Sequence, residues 1–216
     1  SYNGNTAMVE TLLSAGADPN YRRTHRKGLL DDRSALDLAC SNHQTDSVRL
    51  LCDAGIDQNL HPTTVAGMRD DTSLLMNAVK REHGCPAMVE SLLSAGADPN
   101  YRRTNSLAFN QPDDSPGDDC SAMDLACSNN HTGVVRLLCA AGVDPNSHRT
   151  TIYGKMDDTS PLMWAAWNGN TVMVETLLAA GADPNYRRTH WKGEPDDRSA
   201  MDLASSNNHT DVVRLL

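Results

Sequence analysis

Aromatic residues and long apolar runs are scarce in this sequence. The 216 residues include one Phe, three Trp and five Tyr, so aromatic residues make up only 4% of the chain. No segment approaches the roughly 18 apolar residues of a membrane-spanning helix, and the first residues lack a signal-peptide profile. We therefore expect no membrane insertion. The apolar residues are mainly Leu, Ala, Val and Met, which is typical of closely packed helices.

Positively charged residues are fewer than negatively charged ones. The formal net charge is -9 at pH 7 and the isoelectric point is near 5.2. A balance of this sign disfavours nucleic acid and anionic membranes as main partners. Hydrophobic residues make up 39% of the chain, which is enough for a packed core and unlike a disordered segment.

The six cysteines form no Cys-x-x-Cys pair and have no spacing typical of metal ligands. Cys40 and Cys127 stand at equivalent positions of a repeat, as do Cys52 and Cys139, and the two positions are expected at opposite ends of a helix pair. This pattern predicts reduced, mostly buried thiols and a cytoplasmic, intracellular protein. We predict no cofactor.

The chain repeats itself. The segment LLSAGADPNYRRT at 12–24 returns at 92–104 and, with one change, at 177–189. Successive glycines of this pattern are 39, 41, 46 and 39 residues apart, at Gly16, Gly55, Gly96, Gly142 and Gly181. Glycine here predicts a left-handed helix end, and a Ser before each preceding short helix predicts an N-cap. Alternate repeats share Met-Val-Glu-x-Leu-Leu or Val-Arg-Leu-Leu, which indicates a duplicated two-repeat unit.

Three consecutive motifs carry a family resemblance. Ser-Pro-Leu-Met-x-Ala-Ala (160–166), Asn-Gly-Asn-x-x-Met-Val (168–174) and Leu-Leu-x-Ala-Gly-Ala-Asp-Pro-Asn (177–185) resemble the ankyrin repeat. The resemblance covers essentially the whole chain and implies an all-α fold with β-hairpin fingers, an ankyrin-repeat solenoid of stacked helix pairs. We assign a single ankyrin-repeat domain to 1–216. Its repeats are approximately 1–20 (partial), 21–59, 60–100, 101–146, 147–185 and 186–216 (partial).

The segments between the repeated Asn and the next helix-capping Ser are longer than the family pattern. We call them finger 1 (21–33), finger 2 (60–72), finger 3 (101–120), finger 4 (147–159) and finger 5 (186–198). In all but finger 3, a Gly eight residues after the Asn predicts a hairpin turn. Every finger ends in Asp-Asp, which we interpret as turn and cap residues; metal-binding fingers are the less favoured alternative, because no calcium-loop motif is present.

Candidate contact residues vary within this repeated frame. The fingers contain apolar and aromatic residues, and a predicted concave groove contains two further aromatic residues. The fingers also carry arginines, which bind either an acidic partner or the aspartates of a neighbouring finger. Trp164 is expected in the core instead. In this order, the candidates are Trp191, Ile152, Tyr153 and Phe109; Trp167 and Tyr2; and Arg22, Arg23, Arg102, Arg103, Arg187 and Arg188.

The resemblance also implies a modification. Asparagines at one position of the motif resemble those that asparaginyl hydroxylases modify in ankyrin proteins. The matching residues are Asn20, Asn59, Asn100, Asn146 and Asn185. The preceding residue is Pro or Gln, where the preferred substrate has Val.

No catalytic constellation is visible. The eight histidines belong to no Ser-His-Asp or His-Glu-x-x-His pattern, and no phosphate-binding glycine loop is present. His131 and His209 match the family's turn histidine, which bonds the backbone. We predict a protein that is not an enzyme.

The resemblance implies a protein–protein interaction module, a scaffold that presents its fingers and groove to a protein partner of unknown identity. The alternative is a structural repeat segment of a larger protein that acts through self-stacking. Both end repeats are incomplete, so end-to-end self-association through uncapped termini is also expected.

Overall fold

The structure is a computed structural model. It describes residues 6–22, 24–26, 29–30, 32–59, 64–65, 68–69, 72–80, 84–103, 119–152 and 155–216; for 25–26, 29–30, 64–65, 68–69, 151–152 and 155–156 it describes the backbone. Contacts divide the chain into two compact units, unit 1 (1–101) and unit 2 (102–216). The assignment of one domain to 1–216 stays a prediction.

Unit 1 is a two-layer array of short helices. Its described elements are α1 (Thr6–Ser14), β1 (His25–Arg26), β2 (Leu29–Leu30), α2 (Ala35–Ser41), α3 (Thr45–Asp53), β3 (Thr64–Val65), β4 (Met68–Arg69), α4 (Leu74–Val79) and α5 (Pro86–Ser94). Helices α1, α3 and α5 pack in one row, and α2 and α4 pack side by side in the other. Apolar side chains fill the space between the rows, including the fully buried Leu36, Met76 and Leu92.

Unit 2 repeats this arrangement. Its described elements are β5 (Arg102–Arg103), β6 (Cys120–Ser121), α6 (Ala122–Ser128), α7 (Thr132–Ala140), β7 (Thr151–Ile152), β8 (Lys155–Met156), α8 (Pro161–Trp167), α9 (Thr171–Ala179), β9 (His190–Trp191), β10 (Glu194–Pro195), α10 (Ala200–Ser206) and α11 (Thr210–Leu215). Helices α6, α8 and α10 form one row and α7, α9 and α11 the other. The all-α prediction with hairpin fingers is confirmed.

The first helix of each pair begins at the predicted serine. Ser160 has extended backbone and its hydroxyl accepts a hydrogen bond from the amide of Met163, while Pro161 takes the first helical position. In α2, α6 and α10 the third helical residue is Asp, which returns a hydrogen bond to the amide of the capping Ser. This reciprocal capping box satisfies two otherwise free amide groups.

The second helix of each pair ends at the predicted glycine. Gly181 has φ +96°, and the amides of Gly181 and Ala182 donate to the carbonyls of Leu178 and Leu177 at 3.0 and 2.9 Å. A residue in the left-handed conformation, together with these two hydrogen bonds, ends the helix. A Cβ atom makes this conformation unfavourable, so glycine suits the position.

In fingers 1, 2, 4 and 5 the two described strands pair antiparallel as hairpins, as the sequence predicts. In finger 5, Trp191 pairs with Glu194, so that Lys192 and Gly193 form the turn with φ +51° and +88°. Two positive φ values in succession define a type I′ turn, whose twist matches that of the flanking strands. In finger 3, Arg102 pairs with Ser121 and Arg103 with Cys120. Phe109 and the rest of the long segment between these strands lie outside the described residues.

All six cysteines are free thiols, and Cys40, Cys120 and Cys127 are buried. Burial raises the pKa of Cys120 to about 11 and raises the pKa of Cys40 and Cys127 as well. Because the thiolate is the reactive form of cysteine, burial at these positions disfavours reaction at neutral pH.

Candidate partner-binding site

All three tryptophans of the chain meet in unit 2. The ring of Trp191 lies 5.7 Å from that of Trp164 and 6.3 Å from that of Trp167, and the Trp167 ring is nearly parallel to it, at 25°. Trp167 is 40% exposed, while Trp164 and Trp191 are half-buried. We call Trp164, Trp167 and Trp191 the tryptophan patch. Trp164 is thus less buried than the sequence predicts.

The patch is formed by two elements. Trp164 and Trp167 lie three residues apart near the end of α8, so they share one side of the helix. Trp191 is the last residue of β9, directly before the turn of finger 5. Finger 5 therefore packs against α8 of the preceding repeat and covers part of that helix.

Three cations lie over the tryptophan rings. The guanidinium carbon of Arg188 is 4.5 Å from the ring centroid of Trp191, and Lys192 Nζ is 5.2 Å from it. Arg149 is 5.2 Å above Trp164. Arg149 and Arg188 are buried, whereas Lys192 is exposed. Cation–π attraction stabilises such pairs, and here it gives the exposed part of the patch one accessible positive charge.

The first arginine of each Arg-Arg pair anchors its own finger to the helix that follows. Arg22, Arg102 and Arg187 lie 3.3, 3.2 and 3.2 Å from the capping-box aspartates Asp37, Asp124 and Asp202. Arg102 and Arg187 also contact Asp119 and Asp197 of their own fingers, at 2.8 and 2.9 Å. In these described pairs the arginine lies beside an aspartate of its own repeat, not of the neighbouring finger.

In the two pairs for which it is described, the second arginine is buried. Arg103 is 9% exposed and Arg188 is 1% exposed. Arg188 pairs with Asp196 of its own finger at 2.5 Å and donates to the hydroxyl of Thr159 in finger 4 at 3.1 Å. Because their side chains are covered, these two arginines stabilise the base of the fingers and offer no exposed charge to a partner.

In fingers 3 and 4, the second aspartate of the Asp-Asp pair connects one finger to the next. Asp119 of finger 3 accepts hydrogen bonds from the amide and hydroxyl of Thr150 in finger 4, each at 2.8 Å. Asp158 of finger 4 likewise accepts from the amides of Thr189 and His190 in finger 5, at 2.8 and 2.9 Å.

The pKa of Asp158 reflects these bonds. Burial favours the neutral acid, but the hydrogen bonds from His190 and Thr189 outweigh it and lower the pKa of Asp158. An ionised carboxylate therefore stays at this junction at neutral pH and holds the two fingers together.

The first aspartate of the pair in finger 4 acts as a turn residue, as the turn-and-cap interpretation predicts. Asp157 is fully buried, and its Oδ1 accepts the amide of Thr159 at 3.1 Å, just before the capping Ser160. Within the described ranges, no three His, Cys, Asp or Glu side chains lie close enough to hold a metal ion.

The repeated asparagines join successive loops within each unit. Asn146 Oδ1 accepts the amide of Asp183 at 2.8 Å, and its Nδ2 donates to the carbonyl of Gly181 at 3.1 Å. Asn59 bonds Asp98 and Gly96 in the same way, and Asn20 accepts from the amide of Asp57. The residue is thus structural; its hydroxylation, at these positions and at Asn100 and Asn185, stays a prediction.

Several candidates fall outside what the structure describes. Tyr2, Arg23 and Tyr153 lie outside the described residues, as does Phe109, and only the backbone of Ile152 is described. The turn histidine is confirmed at His209, whose Nε2 lies 3.0 Å from the carbonyl oxygen of Trp167.

Comparison with known proteins agrees with this architecture. A family model described as ankyrin repeats (3 copies) matches residues 1–103 and 105–188. The chain belongs to the ankyrin repeat family. Ankyrin repeats are generally protein–protein interaction modules and are typically non-enzymatic. No curated protein matches the chain at a significant level.

The ankyrin helices are short. In the parts of the chain that the structure describes, none combines the length and the apolar character needed to cross a membrane.

Proposed function

We propose that this ankyrin chain binds a protein partner through the exposed side of the tryptophan patch, with Trp167 and Trp191 as anchors and Lys192 as the charged neighbour. The observation that carries the proposal is the meeting of all three tryptophans, with Trp167 still 40% exposed. Tryptophan is the residue type most enriched among side chains that dominate binding energy. Its exposure costs solvation free energy that a partner recovers by covering it.

The charge of the tryptophan patch favours one chemical class of partner. Lys192 is exposed and forms no ion pair with any residue that the structure describes. The exposed side of the patch therefore presents the positive charge of Lys192 on a chain of net charge -9. A segment with acidic residues beside an apolar or aromatic side chain complements it.

Rigidity supports binding here. Finger 5 is held to finger 4 by Asp158 and to α8 by the packing of Trp191. A surface that is already ordered loses little conformational entropy when it binds, so more of the contact free energy appears as affinity. We expect this display role in a cytoplasmic setting, with the fingers and the groove as one scaffold.

The test is selection of binders from a random peptide library on the wild-type protein, with tryptophan fluorescence as the binding signal. We expect acidic peptides with aromatic or apolar residues. Trp167→Ala is expected to weaken them about thirtyfold, as for a hot-spot tryptophan whose loss costs about 2 kcal/mol. Val172→Ala removes another exposed apolar side chain, 58% exposed on α9, and is expected to leave affinity unchanged. Peptides that bind Trp167→Ala as tightly as wild type would contradict the proposal.

A further inference from the structure

Arg149 and Trp164 place three buried nitrogen donors close together. Arg149 is 2% exposed, and its guanidinium carbon lies 5.2 Å from the centroid of the Trp164 ring. Within the described ranges, the buried Nε and Nη2 of Arg149 and the buried Nε1 of Trp164 have no hydrogen-bond partner. Buried donors in folded proteins nearly always have an acceptor, so these three require an explanation.

Nε and Nη2 form one edge of the guanidinium group, and their N–H bonds point in the same direction. This edge fits the two oxygens of a carboxylate. The chain uses the same edge in finger 5, where Arg198 donates to the carboxylate of Asp196 through Nε at 2.9 Å and through Nη2 at 2.6 Å. Nε of Arg187 likewise donates to Asp197 at 2.9 Å. The edge of Arg149 is therefore of the kind that binds a carboxylate in this protein.

The equivalent aspartate of finger 4 forms a different bond. Asp157 stands in finger 4 where Asp196 stands in finger 5, and its Oδ1 accepts the amide of Thr159 at 3.1 Å. Arg188, by contrast, pairs with Asp196. The described part of finger 4 thus supplies no carboxylate to this edge of Arg149.

We propose that the Nε–Nη2 edge of Arg149, with Nε1 of Trp164 beside it, binds the side-chain carboxylate of an Asp or Glu in the protein partner. This inference rests on the proposed binding at the tryptophan patch, and it adds the position at which an acidic side chain is recognised. Trp167 and Trp191 then contact the apolar part of the same segment.

Burial makes the site selective for a carboxylate. Folding has already removed the Arg149 cation from water, so water competes weakly for its donors and a charged acceptor forms short, strong hydrogen bonds with them. An amide side chain has nearly the same shape, but it has one oxygen and no charge, and its NH2 group would face an N–H of Arg149. The site is therefore expected to distinguish Asp and Glu from Asn and Gln.

A carboxylate reaches the edge only after a rearrangement, because the donor atoms are covered. The Trp164 ring that lies against Arg149 is half-buried within the tryptophan patch. We expect a side-chain movement of Trp164 to open the edge, since rotamer changes at interfaces are common while the backbone moves little.

The test uses the acidic peptides selected on the wild-type protein, synthesised with amidated C-termini so that only side chains carry carboxylates. Each Asp or Glu is replaced in turn by Asn or Gln, and affinity is measured by fluorescence anisotropy of the labelled peptide. We expect one of these replacements to weaken binding to the wild type about thirtyfold, as for the loss of one member of a buried charge pair. The same replacement is expected to have no effect on binding to Arg149→Met.

Two further variants separate the geometry of the site from its charge. Arg149→Lys keeps the charge but lacks the edge with two donors, so it is expected to behave like Arg149→Met. Lys192→Met removes an exposed charge of the same patch, and it is expected to weaken all the acidic peptides about threefold. In that variant the thirtyfold difference between carboxylate and amide peptides should persist. Circular dichroism melts check that each variant is folded.

The outcomes distinguish this inference from the proposed function. If Trp167→Ala weakens the peptides but each replacement has the same effect on the wild type and on Arg149→Met, the carboxylate site is wrong and binding at the patch stands. If Trp167→Ala has no effect, binding at the patch is wrong and this inference fails with it. A selection that returns no acidic peptides would also overturn the carboxylate site.

Discussion

Fingers 4 and 5 bury an equivalent arginine in two different ways. Arg149 and Arg188 are 2% and 1% exposed. Arg188 forms an ion pair with Asp196. Arg149 lies over the ring of Trp164. Within the described ranges it forms no ion pair, and its Nε and Nη2 have no hydrogen-bond partner. In finger 4 the equivalent of Asp196 is Asp157, which bonds the amide of Thr159.

The difference shows that equivalent positions in two repeats need not share an energetic role. A buried charge costs several kcal/mol unless its partners compensate it. Arg188 has such partners, whereas among the residues that the structure describes Arg149 has mainly the face of one aromatic ring. We infer that Arg188 stabilises finger 5. We also infer that Arg149, beside the tryptophan patch, lowers the free energy of unfolding.

The largest expected effect comes from exchanging these two arginines for methionine. Arg188→Met breaks a buried ion pair and is expected to lower the free energy of unfolding by about 3 kcal/mol. Arg149→Met removes a buried cation that has no ion-pair partner among the described residues, and it is expected to leave the free energy of unfolding unchanged or raise it by about 1 kcal/mol. Urea denaturation at equal m-value measures both. Equal losses in the two variants would remove the contrast between the fingers.

The second comparison concerns the last aspartate of each finger. Asp158 bonds the next finger, so Asp158→Ala is expected to destabilise unit 2 by about 1 kcal/mol, a value reduced for its partial exposure. Asp197 is 85% exposed in its side chain, and among the described residues it contacts Arg187 of its own repeat. Asp197→Ala is therefore expected to cause no measurable change in urea denaturation. A similar loss of unfolding free energy in both variants would mean that hydrogen bonds between fingers stabilise unit 2 no more than contacts within one repeat.

The cost of Asp158→Ala should also depend on pH. Because the folded pKa of Asp158 is lowered, its contribution is fully present above the ordinary carboxyl pKa of about 3.9 and is lost as pH falls through the folded value. The difference between wild type and Asp158→Ala is thus expected to be constant from pH 7 to 5 and to shrink below about pH 4. A difference that grows in acid would contradict this sign.

The smallest effect concerns the turn of finger 5. Lys192 has φ +51°, which costs a residue other than Gly, Asn or Asp about 1 kcal/mol. Lys192→Asn relieves this strain but removes a cation–π contact of about 0.5 kcal/mol, so a slight rise in melting temperature is expected. Lys192→Ala loses the contact and keeps the strain, so its melting temperature should fall below that of wild type. The reverse order would contradict this description of the turn.

Local features could be predicted from the sequence. The Ser160 cap, the helix end at Gly181 and the hairpin turn at Gly193 each depend on residues within a few positions of one another. Backbone preferences and local hydrogen bonds therefore determine them, whatever the rest of the chain does.

Contacts between repeats could not be predicted in the same way. Asp158 and Thr189 are 31 residues apart, and their bond depends on how closely two fingers lie. The sequence allowed the arginines to lie beside a neighbour's aspartates, but the pairing of Arg187 with Ser199 brings it to Asp197 and Asp202 of its own repeat. The position of Trp164 likewise depends on Trp191 of the following finger.

The asparagine bonds between loops have an evolutionary consequence. Asn20, Asn59 and Asn146 each bond the same backbone positions of the repeat that follows. Since donor and acceptor are alike at every such junction, removal or duplication of one whole unit joins surfaces that already match. Genes for arrays of this kind can therefore change in length by recombination between repeats without inventing a new contact.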